Sequence, residues 1–254
     1  MDTLKEIEKI VKKIGLELKQ VDINKLELEE KDGVGNIVTN YDKYVQKYLK
    51  EKLLKLFPEA GFIGEENDEK IDDFKEYVFI VDPIDGTMNF ARNLSSSMIS
   101  VALLKNKENY ISVCYNPYLD EMYTAKKNEG AYLNGKKIHV SNKTLKNGLF
   151  LCGSAPYYEE LRKKSLEIQK KLFEVSSDFR RFGSAVVELC NIASGKAEVY
   201  FELKLQPWDF AAGMLIVEEA GGQVTDIDGN KLNPFKSSSL LATNKKENYI
   251  EYMR

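Results

Sequence analysis

The sequence predicts a mixed α/β fold that forms one domain over its 254 residues. Three features support this prediction. Apolar residues recur at helical spacing near the N-terminus, short strand-like runs fill the middle, and the second half alternates strand-like with helix-like segments. A chain of this length can enclose one large core or two lobes that share a core. We expect lobes at about residues 1–145 and 146–254.

Two amphipathic helices and a glycine-containing loop are predicted at the start of the chain. Apolar residues at helical spacing predict the first helix over residues 2–20 and the second over 42–57, which Pro58 ends. Between them, the segment Lys31-Asp32-Gly33-Val34-Gly35-Asn36 has two glycines among charged residues, which is typical of a flexible loop. This composition fits either a mobile lid or a solvated hairpin.

Two predicted strands lead into acidic residues. The apolar segment 61–64 is followed by a pair of glutamates, of which Glu65 is a candidate ligand, although adjacent glutamates are usually surface charge. The apolar run 77–81 predicts a buried strand that ends at Asp82, because Pro83 has no N–H to continue the ladder. Both acids would therefore lie where a strand ends.

The residues after Asp82 combine charge, glycine and a hydroxyl. Asp82 and Asp85 are close enough in sequence to repel each other unless a cation lies between them. Gly86 allows backbone N–H groups to approach a ligand, and Thr87 adds a hydroxyl. A helix that begins near Thr87 would favour an anion such as phosphate at its N-terminus. A plain tight turn explains this stretch equally well, because Asp-Pro and Asp-Gly pairs are common turn formers.

The remaining elements follow from alternation and turn signals. An antiparallel meander is predicted at 98–105, 110–115 and 121–126, followed by a hairpin of 131–133 and 138–140 around Asn134-Gly135. The second half is predicted to hold strands at 149–152, 179–182, 197–202, 223–226 and 240–242, and helices at 159–173, 183–193 and 210–220.

Two positions in the second half have both a structural and a functional explanation. Asp209 directly precedes a predicted helix, and helix capping is a more common role than metal binding for an isolated aspartate there. The Gly183-Ser184-Ala185 turn opens another helix and could hold an anion, but a glycine there also permits close packing.

Composition narrows the class of protein. The chain is 43% hydrophobic and 30% charged with a net charge of -3, which is ordinary for a globular protein and argues against nucleic acid as its main partner. No apolar run approaches the roughly 18 residues that would span a membrane, and the charged N-terminus is unlike a signal peptide. Three widely spaced cysteines, Cys114, Cys152 and Cys190, fit reduced thiols. We therefore expect a cytoplasmic protein.

The acidic candidates supply only oxygen ligands. Glu65, Asp82, Asp85 and Asp209 all lie where a strand ends or a helix begins. Oxygen-only sites favour magnesium, manganese or calcium over zinc. Such ions polarise phosphoryl oxygens and activate water, so no protein nucleophile is required for phosphate-ester hydrolysis. This set of residues predicts metal-assisted phosphate chemistry.

The chain resembles the inositol monophosphatase family. The resemblance rests on five segments in this order: Val38-Thr39-Asn40-Tyr41-Asp42, Gly64-Glu65-Glu66, Asp82-Pro83-Ile84-Asp85-Gly86-Thr87, Gly183-Ser184-Ala185 and Trp208-Asp209. It covers nearly the whole chain. It implies a layered αβαβα sandwich of the sugar-phosphatase type, usually a homodimer, and a phosphoric monoester hydrolase of the inositol-1-monophosphatase type.

The resemblance also implies roles for individual residues. Up to three Mg²⁺ ions would be bound by Glu65, Asp82, Asp85, Asp209 and the carbonyl of Ile84; Mn²⁺ is an alternative ion, and Li⁺ and Ca²⁺ are expected to inhibit. Thr87, held by Asp42, would orient the attacking water together with Glu65. Phosphate would be held by the N–H groups of Gly86 and Thr87, and substrate hydroxyls would face Gly183, Ser184, Ala185 and Glu202. Lys31 would belong to a lid.

Some positions depart from the family pattern. Asn36 replaces an acid, which affects the expected lid, and Arg92 stands where many relatives have histidine, which affects substrate choice. Gln206-Pro207 before Trp208 is a form associated with bacterial members. None of these positions is a proposed ligand.

Several rival functions are compatible with parts of the pattern. A haloacid-dehalogenase-type phosphatase needs two aspartates at period two, whereas Asp82 and Asp85 are three residues apart. A regulatory protein that binds RNA polymerase is a rival of another class, but every proposed ligand is present. Fructose 1,6-bisphosphate, adenosine 3′,5′-bisphosphate and NADP remain alternative substrates. We rank myo-inositol monophosphate first because the chain lacks long insertions for a nucleotide pocket.

Overall fold

The computed structural model describes residues 2–31, 37–66 and 75–254. Within these residues, helices and sheets stack in the order helix, sheet, helix, sheet, helix. Two N-terminal helices cover one face of a seven-stranded sheet, the large sheet, and two central helices separate it from a five-stranded sheet, the small sheet. A further helix covers the outer face of the small sheet. The αβαβα sandwich implied by the resemblance is therefore confirmed.

The first layer consists of α1 (Thr3–Leu18) and α2 (Asn40–Leu56), which pack on the large sheet. The side chain of Asp2 caps α1 by accepting a hydrogen bond from the backbone N–H of Leu4. The apolar faces of both helices pack inward, as their spacing predicted. Their fully buried residues include Ile7, Val11, Ile14, Val45, Leu49 and Leu53. Burial of this stripe against the sheet, more than helix propensity, stabilises the layer.

A short ribbon precedes α2. Strand β1 (Leu28–Glu30) pairs antiparallel with β2 (Ile37–Thr39). The predicted loop of residues 31–36 joins these two strands. Apart from Lys31, this loop lies outside the described residues, and so does the prediction that it is a mobile lid.

The large sheet is built from seven strands of the described chain. They are β3 (Gly61–Gly64), β4 (Tyr77–Asp85), β5 (Met98–Lys105), β6 (Glu108–Asn116), β7 (Glu121–Lys126), β8 (Gly130–Leu133) and β9 (Lys136–Lys137), and they lie in chain order. Only the β3–β4 pair is parallel among these neighbours. The predicted antiparallel meander is therefore confirmed.

The hairpin after the meander is tighter than predicted. Asn134 and Gly135 have φ values of 50° and 76°, as a two-residue turn of the I′ type requires. The strand after this turn is β9, however, and residues 138–140 are not in a strand. The N–H of Val140 bonds to the carbonyl of Ala220 instead of a sheet neighbour, so the chain leaves the sheet toward the central helices.

Strand β4 does not end at Asp82, and that prediction is wrong. It pairs with β5 up to Asp82, shifts register, and pairs again where Asp85 lies opposite Met98. Pro83 falls inside this bulge, beyond the last paired residue of β3, so its missing N–H breaks no ladder bond there. A bulge re-aims side chains, and here it separates the two aspartates along the strand.

The small sheet has five strands in the described chain: β10 (Leu149–Cys152), β11 (Asp178–Arg180), β12 (Val199–Leu205), β13 (Gln223–Thr225) and β14 (Ser238–Thr243). Their order is β11-β10-β12-β14-β13, with β10 parallel to both of its neighbours and the other pairs antiparallel. All five predicted strands exist, with ends that differ by a few residues.

Five further helices lie in the described chain. α3 (Thr87–Ala91) follows β4 directly, and the helices of the second half are α4 (Glu159–Phe173), α5 (Ala185–Ala193), α6 (Pro207–Glu219) and α7 (Ile250–Met253). The central pair, α5 and α6, approaches closely because Gly213 carries no Cβ, which would lie 2.6 Å from Leu189. Helix α6 begins at Pro207, three residues before the predicted start, because proline is well suited to a first helical turn.

Two expectations about the whole chain can be compared with the fold. None of the helices in the described residues has the length and apolar character needed to cross a membrane. All three cysteines are buried and free, as their wide spacing predicted.

Candidate active site

A cleft of about 1080 Å³ lies where the end of β4, the start of α5 and the start of α6 come together. Nearly all of the residues singled out from the sequence line it: Lys31, Glu65, Asp82, Ile84, Asp85, Gly86, Thr87, Gly183, Ser184, Ala185, Glu202 and Asp209. Asp42 is not among the lining residues and lies behind Thr87. The fold therefore gathers residues from both halves of the chain into one cavity.

The bulge in β4 determines how Asp82 and Ile84 are presented. Oδ1 of Asp82 accepts a hydrogen bond from the backbone N–H of Ile84 at 3.0 Å. The carbonyl oxygen of Ile84 lies 3.2 Å from the hydroxyl of Thr87, which donates to it. These contacts hold the turn after β4 in a compact form with both groups at the cleft.

Asp85 joins the two halves of the cleft. Its Oδ2 accepts hydrogen bonds from the hydroxyl of Ser184 and, at 2.6 Å, from the backbone N–H of Val186. Ser184 is also the N-cap of α5, because its hydroxyl oxygen accepts from the N–H of Val187 at 3.2 Å. The same carboxylate therefore fixes the start of α5 against the end of β4.

Asp209 caps helix α6 and also lines the cleft. It lies in the first turn of α6, and its Oδ2 accepts from the backbone N–H of Gln206 at 2.7 Å. This contact is half of a capping box, so the capping explanation holds. The side chain also lines the cleft beside the other carboxylates, and capping uses only one of its two oxygens in this contact.

Burial makes this group of carboxylates costly to ionise. Burial raises the pKa of Asp82 well above its usual range, and the negative charges of Glu65, Asp85 and Asp209 raise it further. The pKa of Asp209 is raised well above its usual range, first by burial and then by Asp85 and Glu65. Burial raises the pKa of Asp85 to about 6, although its bond from Ser184 opposes the change. Mutual repulsion of this kind is relieved by cations.

One cation of the protein already sits beside the acids. The ammonium of Lys31 lies 2.9 Å from Oε1 of Glu65 and 2.5 Å from Oε1 of Glu66. Burial opposes protonation of Lys31, but the attraction of the two glutamates outweighs it, so the lysine pKa is raised. Lys31 thus partly neutralises the open side of the acidic cluster.

Asp42 and Thr87 form a second, connected pair. The N-cap of α2, Thr39, donates to Oδ2 of Asp42 through its N–H at 2.7 Å and through its hydroxyl at 2.5 Å. Oδ1 of Asp42 lies 3.1 Å from the hydroxyl of Thr87. Burial raises the pKa of Asp42 to about 6, against the lowering effect of the bonds from Thr39. A capping box on α2 thus carries the acid that contacts Thr87.

Gly86 has a conformation that suits glycine alone. Its φ is 87°, and an added Cβ would lie 3.1 Å from both the Cβ of Ser184 and the carbonyl oxygen of Ser96. The backbone of the turn therefore approaches the opposite half of the cleft more closely than a side chain would allow. The helix that follows, α3, has five residues and begins at Thr87, as predicted.

The far wall of the cleft carries Glu202. Its Oε1 accepts hydrogen bonds from the N–H groups of Ala155 at 3.0 Å and Leu203 at 2.9 Å. A Cβ on Gly153 would lie 1.6 Å from Oε2 of Glu202, so this glycine makes room for the carboxylate. Burial raises the pKa of Glu202, and the backbone bonds oppose the change.

Sequence reasoning missed two residues at this site. Glu188 lines the cleft and is 2% exposed, and burial raises its pKa to about 8. The signal for Glu188 in the sequence was a single acidic residue within the mainly apolar segment that forms α5. Asn89 is 8% exposed and bonds to both halves of the site, which no local pattern indicates because its partners are distant in sequence.

The carboxylates of the acidic cluster supply oxygen atoms that could bind a metal, but their side chains are not yet arranged as metal ligands. Among the residues that the structure describes, no three acidic, histidine or cysteine side chains already stand together in a ligating arrangement. Each carboxylate is instead turned toward a protein donor, which is Ile84 N for Asp82, Ser184 for Asp85, Gln206 N for Asp209 and Lys31 for Glu65. The hard oxygen chemistry and the unfavourable burial of charge fit magnesium, once these side chains turn toward it.

The fold and the cleft define an αβαβα sandwich protein with a cluster of carboxylates from the ends of β3 and β4 and from the first turn of α6. Residues 2–254 match the inositol monophosphatase family. The chain belongs to this family, which places it among the metal-dependent phosphatases.

Individual relatives agree with this assignment. The chain is 34% identical over 244 residues to an inositol-1-monophosphatase of Bacillus subtilis, covering 94% of this chain and 92% of that protein. It is 34% identical over 213 residues to the Nus factor SuhB of Escherichia coli, covering 84% of this chain and 79% of that protein. A solved IMPase/NADP phosphatase complexed with Mg²⁺ and phosphate superposes with a TM-score of 0.87 at 26% identity, covering 99% of this chain and 96% of that one.

Proposed function

We propose that this protein is a Mg²⁺-dependent phosphomonoesterase that hydrolyses a small phosphorylated polyol, with myo-inositol monophosphate as the leading substrate. The observation that carries the proposal is the buried group of Asp82, Asp85 and Asp209, whose pKa values are all raised by burial and by neighbouring carboxylates. Burying several carboxylates together costs free energy, and bound cations offset this cost because they neutralise the negative charge. Membership of the inositol monophosphatase family supports the reaction class.

The residues proposed to hold the metal are Glu65, Asp82, Asp85, Asp209 and the carbonyl of Ile84. All of them are hard oxygen donors that line one cleft. Bound divalent ions supply Lewis-acid polarisation of the phosphoryl group and a lowered pKa for water. The complex of a relative with Mg²⁺ and phosphate supports this choice of ion.

The chain's own residues would orient the reactants. Thr87, whose hydroxyl contacts Asp42, is proposed to position the attacking water together with Glu65. Gly86 and Thr87 lie at the start of α3 and line the cleft. Their N–H groups would donate hydrogen bonds to the phosphate oxygens. Alignment of water and phosphate in one geometry is the main contribution that a protein makes to phosphoryl transfer.

The substrate's hydroxyl groups would face the second half of the chain. Ser184 and Ala185 start α5 and line the cleft, as does Glu202 on the far wall. A carboxylate held by backbone amides is a good acceptor for hydroxyl donors. We propose that this wall, with Gly183, selects a polyol over an apolar alcohol.

A substrate panel tests the proposal. Phosphate release would be measured for inositol 1-phosphate, fructose 1,6-bisphosphate, adenosine 3′,5′-bisphosphate and NADP at saturating Mg²⁺. We expect the highest kcat/KM for inositol 1-phosphate. A preference for one of the other three esters would reassign the substrate within the same reaction class. No phosphate release from any of the four esters would contradict the proposal that the protein is a phosphomonoesterase.

The similarity to the Nus factor SuhB favours one second candidate, a role in a transcription complex. A pull-down with purified RNA polymerase tests it separately from turnover. We rank this role second because all of the proposed ligands are present. We also propose a cytoplasmic homodimer, and light scattering on the purified protein tests the oligomeric state.

A further inference from the structure

The side chain of Asn89 spans the boundary between the two halves of the cleft. Its Nδ2 donates to the carbonyl of Ser96 at 2.6 Å and to the carbonyl of Phe182 at 2.7 Å. Asn89 lies in α3, two residues after Thr87, whereas Phe182 directly precedes the turn that starts α5. One amide group thus connects segments that lie 93 residues apart in sequence.

The position of the Asn89 amide nitrogen requires a hydrogen-bond donor. Both partners are carbonyl oxygens, so the group between them must be a donor of two hydrogen bonds. The hydroxyl of Ser96 adds a longer contact of 3.4 Å to the same Phe182 carbonyl. A carboxylate here would place negative charge against two carbonyl oxygens at less than 3 Å.

The peptide of Phe182 is held from both sides. Its carbonyl accepts from Asn89, and its N–H donates to Oε1 of Glu188 at 2.6 Å. The next residue, Gly183, has a φ of 75°, and a Cβ on it would lie 3.4 Å from Nδ2 of Asn89. The Asn89 amide therefore packs directly against the turn that presents Ser184 and Ala185 to the cleft.

Asp85 provides the other connection between these segments. It accepts from Ser184 and Val186, but its carboxylate is also a proposed ligand, so a bound ion competes for it. The contacts of Asn89 involve no proposed ligand. These contacts can therefore hold the Gly86-Thr87 turn and the Gly183-Ser184 turn at a fixed distance, with or without a bound metal.

We propose that Asn89 is a positioning residue that sets the distance between the Gly86-Thr87 turn and the Gly183-Ser184 turn, so that one substrate is held by its phosphate and by its hydroxyl groups together. The inference rests on the proposed function for its kinetic consequence. The structural part of the inference, which is that Asn89 couples the two turns, does not depend on catalysis.

Two variants separate hydrogen bonding from side-chain volume. Asn89→Ala removes both donors and leaves space, whereas Asn89→Asp keeps the volume and replaces the donor by an acceptor. We expect kcat/KM for inositol 1-phosphate to fall about tenfold or more in Asn89→Ala and at least as far in Asn89→Asp, where tenfold corresponds to 1.36 kcal/mol. A milder effect of Asp than of Ala would indicate a packing role and overturn the proposal.

The comparison of two substrates distinguishes positioning from general damage. 4-Nitrophenyl phosphate has a phosphate group but no polyol, so it does not need both turns. We expect its kcat/KM to fall much less than that for inositol 1-phosphate in both variants. Equal losses for the two substrates would contradict the proposal.

Asn116 offers a matched control. It is buried, its Nδ2 donates to the carbonyl of Ser95 at 3.1 Å, and its Oδ1 accepts from the N–H of Tyr118 at 2.9 Å. It therefore supports the same loop without contacting residues 182–186. We expect Asn116→Asp, like the Asn89 variants, to lower the melting temperature. Unlike them, it should leave the ratio of the kcat/KM values for the two substrates unchanged.

Hydrogen exchange of the metal-free protein tests the coupling without turnover. In Asn89→Ala, exchange should quicken in both 86–91 and 182–187, whereas Asn116→Asp should leave 182–187 unchanged. Unchanged exchange at 182–187 in Asn89→Ala would refute the proposal. If the wild type releases no phosphate from any ester but the two segments respond together, the proposed function fails and the positioning role stands.

Discussion

Asp85 shows at the scale of one residue how a turn former and a candidate ligand differ. Its carboxylate is buried, bonds to Ser184 and Val186, and has its pKa raised to about 6, chiefly by burial. In Asp85→Asn the amide oxygen can still accept from Val186, but the charge is lost. We expect turnover at saturating Mg²⁺ to fall on the order of a thousandfold or more, because a neutral amide is a weaker ligand than a carboxylate for a hard cation.

The metal-free melting temperature of Asp85→Asn should equal or exceed that of the wild type, because a repelling charge has gone. Asp226→Asn is a suitable control. Asp226 also accepts backbone bonds in a turn, from Asp228 and Asn230, but its pKa is lowered and it lies outside the cleft. Its replacement should lower stability slightly and spare turnover. Near-normal turnover in Asp85→Asn would remove Asp85 from the mechanism.

Glu188 links stability to pH at the same scale. Burial raises its pKa to about 8, against a normal value of 4.5, and the backbone hydrogen bonds from Phe182 and Gly183 oppose the change. Arg181 lowers the pKa and Asp85 raises it to a smaller extent. Because the folded-state pKa is the higher one, the contribution of Glu188 to stability is complete below pH 4.5 and is lost as the pH rises to about 8.

Glu188→Gln should remove this dependence. At pH 8 the metal-free variant should be more stable than the wild type by roughly 2–4 kcal/mol, and below about pH 4.5 the difference should vanish or reverse. Urea unfolding of both proteins across this pH range measures the difference. A constant offset between the two curves would show that the pKa of Glu188 is the same in the folded and unfolded protein.

The turn between β4 and α3 illustrates the scale of a structural element. Gly86 and Gly135 both have positive φ, of 87° and 76°, but only Gly86 is crowded, since a Cβ on Gly135 would meet nothing within 4 Å. Gly135→Ala should therefore cost about 1–2 kcal/mol through backbone strain alone. Gly86→Ala should cost more and should also lower turnover at least tenfold, because the turn must move away from Ser184 and Ser96.

Urea unfolding and turnover of both glycine variants test this expectation. Similar losses of stability and full activity in the two variants would mean that the close approach at Gly86 has no role in the site.

The proposed cation binding would act at the scale of the whole molecule, because the acids proposed as ligands come from both halves of the chain. Ligand binding to the folded state alone stabilises by RT ln(1 + [L]/Kd), about 2.7 kcal/mol at a hundredfold excess over Kd. Mg²⁺ should therefore raise the melting temperature, and EDTA should abolish turnover. Calorimetry with and without Mg²⁺ measures the first effect. Full turnover in EDTA would contradict the metal-dependent mechanism.

Local patterns predicted most of the elements. The apolar stripes of α1 and α2, the meander of β5 to β7 and the turn at Asn134-Gly135 depend on side-chain period and turn chemistry over a few residues, which a sequence displays directly. The acids after β3 and within the β4 turn were likewise recognisable by position. The end of β4 was predicted wrongly, because a bulge depends on the neighbouring strand and not on Pro83 alone.

The sequence by itself determined the layered fold class, the element order and the chemical character of the acidic residues. Only the tertiary structure decided which groups meet. Oδ2 of Asp85 reaches Ser184, Lys31 reaches Glu65, and Asn89 reaches Phe182, across 99, 34 and 93 residues respectively. Burial, which raises the pKa values of the acids, also arises only when the sheets and helices close around them. Such contacts come from packing between distant segments, so no local pattern of residues contains them.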